Sequence, residues 1–387
     1  MAAERAYLDY NASAPLLDEA KAAMMAILGC PGNASSVHGE GRAKRAVIDR
    51  ARRHVAQLCN ASADNVVFTS GATEAASTLL TPEYRMGRGS LAIGHLYVLA
   101  SDHPCLLGGG HFAADQITQL PVDTEGLVDL EALRSELGRR GKEDGQALVA
   151  CHFANNESGV VQPVADIAKV VKDAGGLLVV DAVQAVGRLE VDIEALGADF
   201  LILSSHKIGG PQGAGAIVAA SDLLMPSPLV TGGGQEKGHR AGTENVGAIA
   251  GFGEAARIAR ERLDGIEAVR DLRNRFETVL RTHIADAIIV AEQAPRLANT
   301  SLFIIPGLKT ETAQIAFDLA GIALSAGSAC SSGKVGDSHV LAAMGLGSHG
   351  SALRLSIGAE TGERELVMFE KAVRGIAERR AEQGKAA

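Results

Sequence analysis

The chain has 387 residues, 47% of them apolar and 21% charged, enough to bury a substantial core in two or three domains, or in one large domain with a smaller one attached. Lys+Arg 37 against Asp+Glu 46 leaves a net charge of −9 with no basic block, which argues against a broad nucleic-acid or anionic-membrane surface, because such a surface needs clustered cations. No apolar run reaches the ~18 residues of a spanning helix, the start Met1-Ala2-Ala3-Glu4-Arg5 lacks the plan of an export signal, and a cytoplasmic protein is expected.

Residues 45 to 220 alternate two periodicities. Ile48, Ala51, Val55 and Leu58 recur at three- and four-residue steps and predict a helix, after which Val66-Val67-Phe68 predicts a strand running into Thr69-Ser70-Gly71. Short, almost wholly apolar runs follow at Leu96–Ala100, Ala147–Cys151, Leu177–Val180 and Phe200–Leu203, the pattern of strands covered on both faces in a parallel sheet. Between the runs at Ala147 and Leu177 a helix is expected, with Pro163 in its first turn and Gly175-Gly176 at its end. From Thr243 to Thr282 there is no proline, and Leu263, Ile266, Val269, Leu272, Phe276 and Val279 mark one long or broken helix leading into a smaller domain. Strands are predicted at Ser301–Ile305 and Leu353–Ile357. A C-terminal helix striped by Leu366, Phe369, Val373 and Ile376 closes the chain, its charged end expected to fray. The fold class is α/β.

Five cysteines without a C-x-x-C pair suit neither a disulfide framework nor a structural zinc site. Cys330 lies in a run from Ser325 to Gly336 rich in Ser and Gly, a composition that packs poorly and moves easily. It reads as a mobile, reactive thiol. Cys30, Cys59, Cys105 and Cys151 lie in or beside apolar stretches and read as small core residues.

The apolar run at Leu201 delivers Ser204, Ser205, His206 and Lys207 to its carboxyl end, the edge where open parallel sheets bind ligands. A desolvated lysine there can form a Schiff base with an aldehyde; a plain surface lysine is the alternative. Asp181 stops the preceding strand, either as a helix cap or as the partner of a pyridinium N–H. Phe68 to Glu74 feeds a strand through Gly71 into a helix start, which suits a phosphate or ordinary capping by Ser70 or Thr73. There is no G-x-G-x-x-G or G-x-x-x-x-G-K-[ST] in that segment, which weakens dinucleotide and nucleoside triphosphate readings. Asp102-His103-Pro104 and Asn155-Asn156-Glu157 end two further strands with an imidazole and an amide. Five strand ends supplying Lys, Asp, His, Asn and a phosphate loop make coincidence less plausible than at any one of them.

Together these motifs resemble the cysteine desulfurases of the class V aminotransferase group, pyridoxal phosphate enzymes of fold type I. The resemblance runs from Tyr7-Leu8-Asp9-Tyr10-Asn11 to Arg354-Leu355-Ser356, and is most specific at Thr69–Glu74, Asn155–Glu157, Ser204–Lys207, Gly232–Thr243 and Ser325–Cys330. It implies a large domain with a mainly parallel central sheet (15–262) and a smaller α+β domain (1–14 and 263–387). It implies pyridoxal 5'-phosphate held by Lys207 as a Schiff base, with Asp181 on the pyridine nitrogen, His103 stacked on the ring, and Gln184 and Asn156 at the phenolic oxygen. Ala72, Thr73, Ser204 and His206 would bind the phosphate, Thr243 reaching across from the second subunit of a homodimer. Arg354 would clamp the carboxylate of L-cysteine, with Asn33 and Asn156 assisting. The implied reaction yields alanine and a persulfide on Cys330, passed to an iron–sulfur scaffold or another acceptor. Cys330 also stands as a transient iron–sulfur ligand shared with that scaffold. Rival readings are an aminotransferase or β-lyase with Cys330 a bystander, and a non-catalytic sulfur carrier. Ala34, Ser158 and Asp102 depart from the family pattern.

Overall fold

The computed structural model describes residues 4–326, 338–347 and 352–386. The first part of the chain forms β1 (Ala6–Tyr7), α1 (Asp18–Leu28), α2 (Gly39–Leu58), β2 (Val66–Thr69), α3 (Ala72–Leu79), β3 (Glu83–Met86), β4 (Gly89–Leu99), α4 (Pro104–Leu107) and β5 (Ile117–Leu120). The middle adds α5 (Leu130–Gly138), β6 (Gln146–His152), α6 (Val164–Asp173), β7 (Leu177–Asp181), β8 (Phe200–Ser204), β9 (Gly215–Ala219), β10 (Leu224–Pro226) and α7 (Val246–Glu261). The remainder forms α8 (Ile266–His283), β11 (Ile288–Ile289), β12 (Thr300–Ile304), α9 (Thr310–Leu319), β13 (Ile322–Ala323), β14 (Ser325–Ala326), α10 (His339–Ala343), β15 (Ala352–Ser356) and α11 (Glu363–Ala386).

Nine strands make the main sheet, in the order β10-β3-β4-β6-β7-β8-β9-β2 with β5 beside β4. The centre, from β5 through β4, β6 and β7 to β8, is parallel. Its strands read as continuous apolar runs because both faces are covered: along β8, Leu201 and Leu203 enter one core with Phe252 of α7 and Val55 of α2, while Phe200 and Ile202 enter another with Leu79 of α3. The α2 and α7 backbones approach closely at Gly253, where a Cβ would stand 2.5 Å from the Ala51 Cα.

The sequence reading did not separate β9, which runs antiparallel between β8 and β2. Two reversals leave β2 pointing the same way as β8, so its carboxyl end joins the same edge of the sheet. The helix expected as one long or broken segment takes the broken form: α7 and α8 are separated by a 3-10 turn at Arg262–Gly265. The C-terminal helix, expected to fray, continues to Ala386, since Ala, Arg, Glu and Gln are good helix formers.

A smaller antiparallel sheet, β11-β12-β15-β14, packs with α8, α9 and α11 around Phe276, Phe303, Phe317 and Phe369, with Ala6 and Leu8 of the N-terminal segment in the same core. Among the described residues no helix is long and apolar enough to cross a membrane.

Candidate active site

The carboxyl ends of the parallel strands and one strand of the small sheet enclose a cavity of about 580 Å³. Into it converge Ala72, Thr73, His103, Asn156, Asp181, Gln184, Ser204, His206, Lys207 and Arg354, each singled out in the sequence. A larger groove, about 740 Å³, opens at the amino ends of β4 and β6, where none of these residues lies. The smaller cavity is the candidate, since ligands of such sheets bind at strand carboxyl ends.

Lys207 sits in the single 3-10 turn after β8, and its Nζ donates to the backbone carbonyls of Asn11 (2.6 Å) and Ala12 (2.9 Å). The N-terminal segment therefore crosses the carboxyl edge of the main sheet and orients the amine. Asp181, the last residue of β7, is buried; its Oδ1 accepts from the Val183 N–H at 3.0 Å, and burial raises its carboxyl to about 6. A carboxylate so placed calls for a cationic partner.

Asp102, fully buried, accepts from the Leu99 N–H (2.7 Å) and, through Oδ1, from the backbone N–H (2.8 Å) and Nδ1 (2.5 Å) of His152. Gln162 Nε2 lies 3.1 Å from His152 Nε2 and is a donor, so His152 carries its proton on Nδ1, toward Asp102. This chain ties the ends of β4 and β6 together beneath His103. The His103 Nδ1 accepts from the Cys105 N–H at 3.2 Å and caps α4, leaving the proton on Nε2. Burial, then the nearby Lys207 and His339, push His103 down to about 4. His206 is likewise lowered to about 4 by burial and Lys207.

Among the described residues no side chain caps the start of α3, and its first intrahelical bond is Ala75 N–H to Gly71 carbonyl at 3.1 Å. The backbone N–H groups of Ala72, Thr73 and Glu74 are thus available at the positive end of the helix, against the cavity. Gly215 lets β9 close on this turn; a Cβ there would stand 2.7 Å from Gly71. Glu74 pairs with Arg240 (2.9 and 3.3 Å), linking the turn to the Gly232–Thr243 segment. That segment is itself anchored by Glu236, which is buried, accepts two bonds of 2.7 Å from Arg52 and takes the Phe68 N–H at 2.9 Å.

Arg354 projects from the middle of the small sheet and is 2% exposed. Its Nη1 donates to the Asn156 carbonyl (2.9 Å) and its Nη2 to Asp9 (2.7 Å), while Nε is buried without a partner among the described residues. An orphaned guanidinium N–H on a cavity wall is a ready site for a carboxylate.

Two of the expected residues that the structure describes are not brought into this cavity. Thr243 is exposed and lines an adjoining depression of about 240 Å³ with Ser70 and Gly213. Asn33 is exposed between α1 and α2, where its Oδ1 accepts from the Ser35 N–H at 2.8 Å. Cys330 lies outside the described residues; the chain enters its segment at Ser325–Ala326 and leaves it at Ser338. Both flanks are bonded to the site: Ser325 Oγ donates to Asp9 (2.8 Å), and Ser338 Oγ to buried Glu157 (2.6 Å). Of the other cysteines, Cys59 and Cys151 are buried as expected, with burial raising Cys59 to about 12. Cys105 is half-buried on the cavity wall, and Cys30 is exposed in the bend that follows α1 and its C-cap Gly29.

Asp9, Asn11, His152, Glu157 and Arg188 also contribute and were not singled out. The partners of the first four are tens to hundreds of residues away, so no local spacing reveals them, whereas Arg188 bonds to Gln184 only four residues before it.

The donor set fits pyridoxal phosphate: an amine, a carboxylate that is buried and, among the described residues, pairs with no cation, a helix N-terminus that no described side chain caps, and a neutral imidazole line one cavity. A family model described as Aminotransferase class-V matches residues 6–369. A cysteine desulfurase of Cereibacter sphaeroides is 39% identical over 374 residues, covering 94% of this chain and 93% of that protein. The cysteine desulfurase IscS of Dictyoglomus turgidum is 36% identical over 368 residues, covering 93% and 91%. Among solved structures, a NifS-like protein from Rickettsia africae ESF-5 shares the fold with a TM-score of 0.87 at 32% identity, over 97% of this chain and 100% of that one. The chain belongs to the pyridoxal-phosphate-dependent class-V aminotransferases and, within them, to the cysteine desulfurase family.

Proposed function

We propose that the protein removes sulfur from L-cysteine, releasing L-alanine and leaving a persulfide on Cys330. The observation that carries this reading is the shared cavity: the Lys207 amine, the Asp181 carboxylate, the α3 N-terminus and the Arg354 guanidinium face one space. When bound there, pyridoxal phosphate supplies an electron sink that makes the substrate Cα acidic. Lys207 holds it covalently, Asp181 meets its ring nitrogen, and Ala72, Thr73, Ser204 and His206 take the phosphate. Gln184 and Asn156 serve the phenolic oxygen. His103, neutral at working pH, lies against the ring. Arg354 orients the substrate carboxylate, and the Lys207 amine moves the Cα proton. The Cys330 thiolate attacks the substrate sulfur, whose bond to Cβ breaks; the released fragment takes up protons to become alanine.

In this reading the chain works as a cytoplasmic homodimer, Thr243 completing the phosphate site of the second subunit. The persulfide passes to an iron–sulfur scaffold or another acceptor, the cluster being cargo. Among the described residues no His/Cys/Asp/Glu group is arranged to hold a resident metal. The large domain is taken as 15–262 and the small one as 1–14 with 263–387; the separate apolar core around Phe276 and Phe369 supports that division. Borohydride reduction of the purified protein followed by peptide mapping should label Lys207, and L-cysteine with a reductant should give equal alanine and sulfide. An unmodified Lys207, or alanine without sulfide, would refute the reading.

A further inference from the structure

Arg188 follows Gln184 by four residues and is buried. Among the described residues it bonds to no carboxylate, and burial together with the Arg354 cation lowers it to about 10. A buried unpaired cation is costly, so a residue kept in that state needs a physical reason. Its hydrogen bonds supply one. The Nη1 donates to the Gln184 carbonyl (2.8 Å) and to Gln184 Oε1 (2.5 Å), and Nη2 donates to the Lys207 carbonyl (3.3 Å).

A guanidinium can only donate, so the Gln184 atom it meets is the amide oxygen. On the other side, Gln184 Nε2 donates to the Asn11 carbonyl at 3.0 Å, and a carbonyl can only accept. These two partners leave the amide one orientation. Asn11 and Gln184 line the catalytic cavity, whereas Arg188 lines a separate apolar cleft between the sheet ends and α7–α8. The nitrogen of Gln184 is therefore its cavity side, with a second N–H to offer. The same Asn11 carbonyl accepts from Lys207 Nζ at 2.6 Å, so amide, amine and Arg188 form one linked unit.

We propose that Arg188 is a positioning residue that locks the Gln184 amide with its nitrogen toward the cavity and ties it to the backbone of Lys207. The inference rests on the reading of Gln184 as a cofactor-binding residue given above. Without the lock the amide can turn its oxygen inward, presenting an acceptor where the anionic oxygen of the cofactor needs a donor.

The test is the pH midpoint of the visible absorption band of the full-length holoenzyme, with the melting temperature measured in parallel. An N–H donor favours the ionised form of the oxygen it meets, so Arg188→Met should raise the midpoint by roughly half a unit or more. If Arg188 acts through the amide, the same change made beside Gln184→Ala should shift the midpoint less than half as far. Arg188→Lys, which retains a donor, should fall between wild type and Arg188→Met. Equal shifts in the two backgrounds would overturn the lock and leave a bare charge effect. A lower melting temperature with an unmoved midpoint in Arg188→Met would overturn it too, in favour of plain packing. An unmoved midpoint in Gln184→Ala alone would instead remove the assumed role of Gln184, and the lock with it.

Discussion

Asp181→Asn is expected to move the cofactor-free and cofactor-bound protein in opposite directions. In the folded chain burial lifts the Asp181 carboxyl from 3.8 to about 6, opposed in part by the Val183 N–H. The folded state therefore holds this proton more tightly than the unfolded state does. Its contribution to stability is complete below pH 3.8 and is lost as the pH rises through about 6. A gap of about two pH units corresponds to roughly 3 kcal/mol against the folded state at neutral pH. Asparagine cannot ionise and retains an oxygen for the Val183 N–H, so the cofactor-free variant should gain up to that amount near neutrality and nothing near pH 3.8. If Asp181 holds the ring nitrogen as proposed, the same change in the holoenzyme would remove a charge-assisted bond worth roughly 1.5–3 kcal/mol, or about ten- to a hundred-fold in retention. Urea unfolding of cofactor-free protein at acid and neutral pH measures the first effect, and cofactor dissociation by gel filtration and absorbance measures the second. A cofactor-free variant less stable than wild type at neutral pH, or a difference that ignores pH, would refute the account.

Arg354→Lys loses the fork that meets Asp9 and the Asn156 carbonyl, and should raise KM for L-cysteine about ten- to a hundred-fold, with the visible band of the holoenzyme unchanged; steady-state kinetics and absorbance check it. Cys330→Ser should abolish persulfide formation, read by mass spectrometry of the intact protein after L-cysteine, while borohydride still labels Lys207. Histidine-selective NMR of the cofactor-free protein should show His103 and His206 neutral from neutral pH down to about 5, since each is lowered to about 4. Arg52→Met leaves the Glu236 carboxylate buried and unpaired and should cost about 3–5 kcal/mol in urea unfolding, with Glu236→Gln in the same chain recovering at least half.

The fold class and the chemistry-bearing strand ends were legible because each follows from local pattern. Apolar runs such as Leu201–Leu203 mark strands covered on both sides, and the polar residue that ends each run must lie at the carboxyl edge of a parallel sheet. Lys207, Asp181, His103 and Asn156 were found in that way, and the structure gathers them with Arg354 in one cavity. Asn33 and Thr243 rested on resemblance alone, and within a single chain neither reaches it. Cys30 was misread because an apolar neighbourhood in sequence does not say where the helix stops, and Cys30 falls in the exposed bend beyond α1.

By themselves the residues determined which elements form and which reactive groups stand at their ends, since periodicity and glycine placement act over a few positions. Tertiary structure alone decided how those groups are held. The hydrogen bond from Lys207 to the Asn11 carbonyl joins residues 196 positions apart, and the pair between Arg354 and Asp9 spans 345. Such contacts depend on how the small antiparallel sheet and the N-terminal segment pack against the main sheet. Burial set by that packing, acting on a carboxylate and two imidazoles, is what moves Asp181, His103 and His206 away from their ordinary acidities.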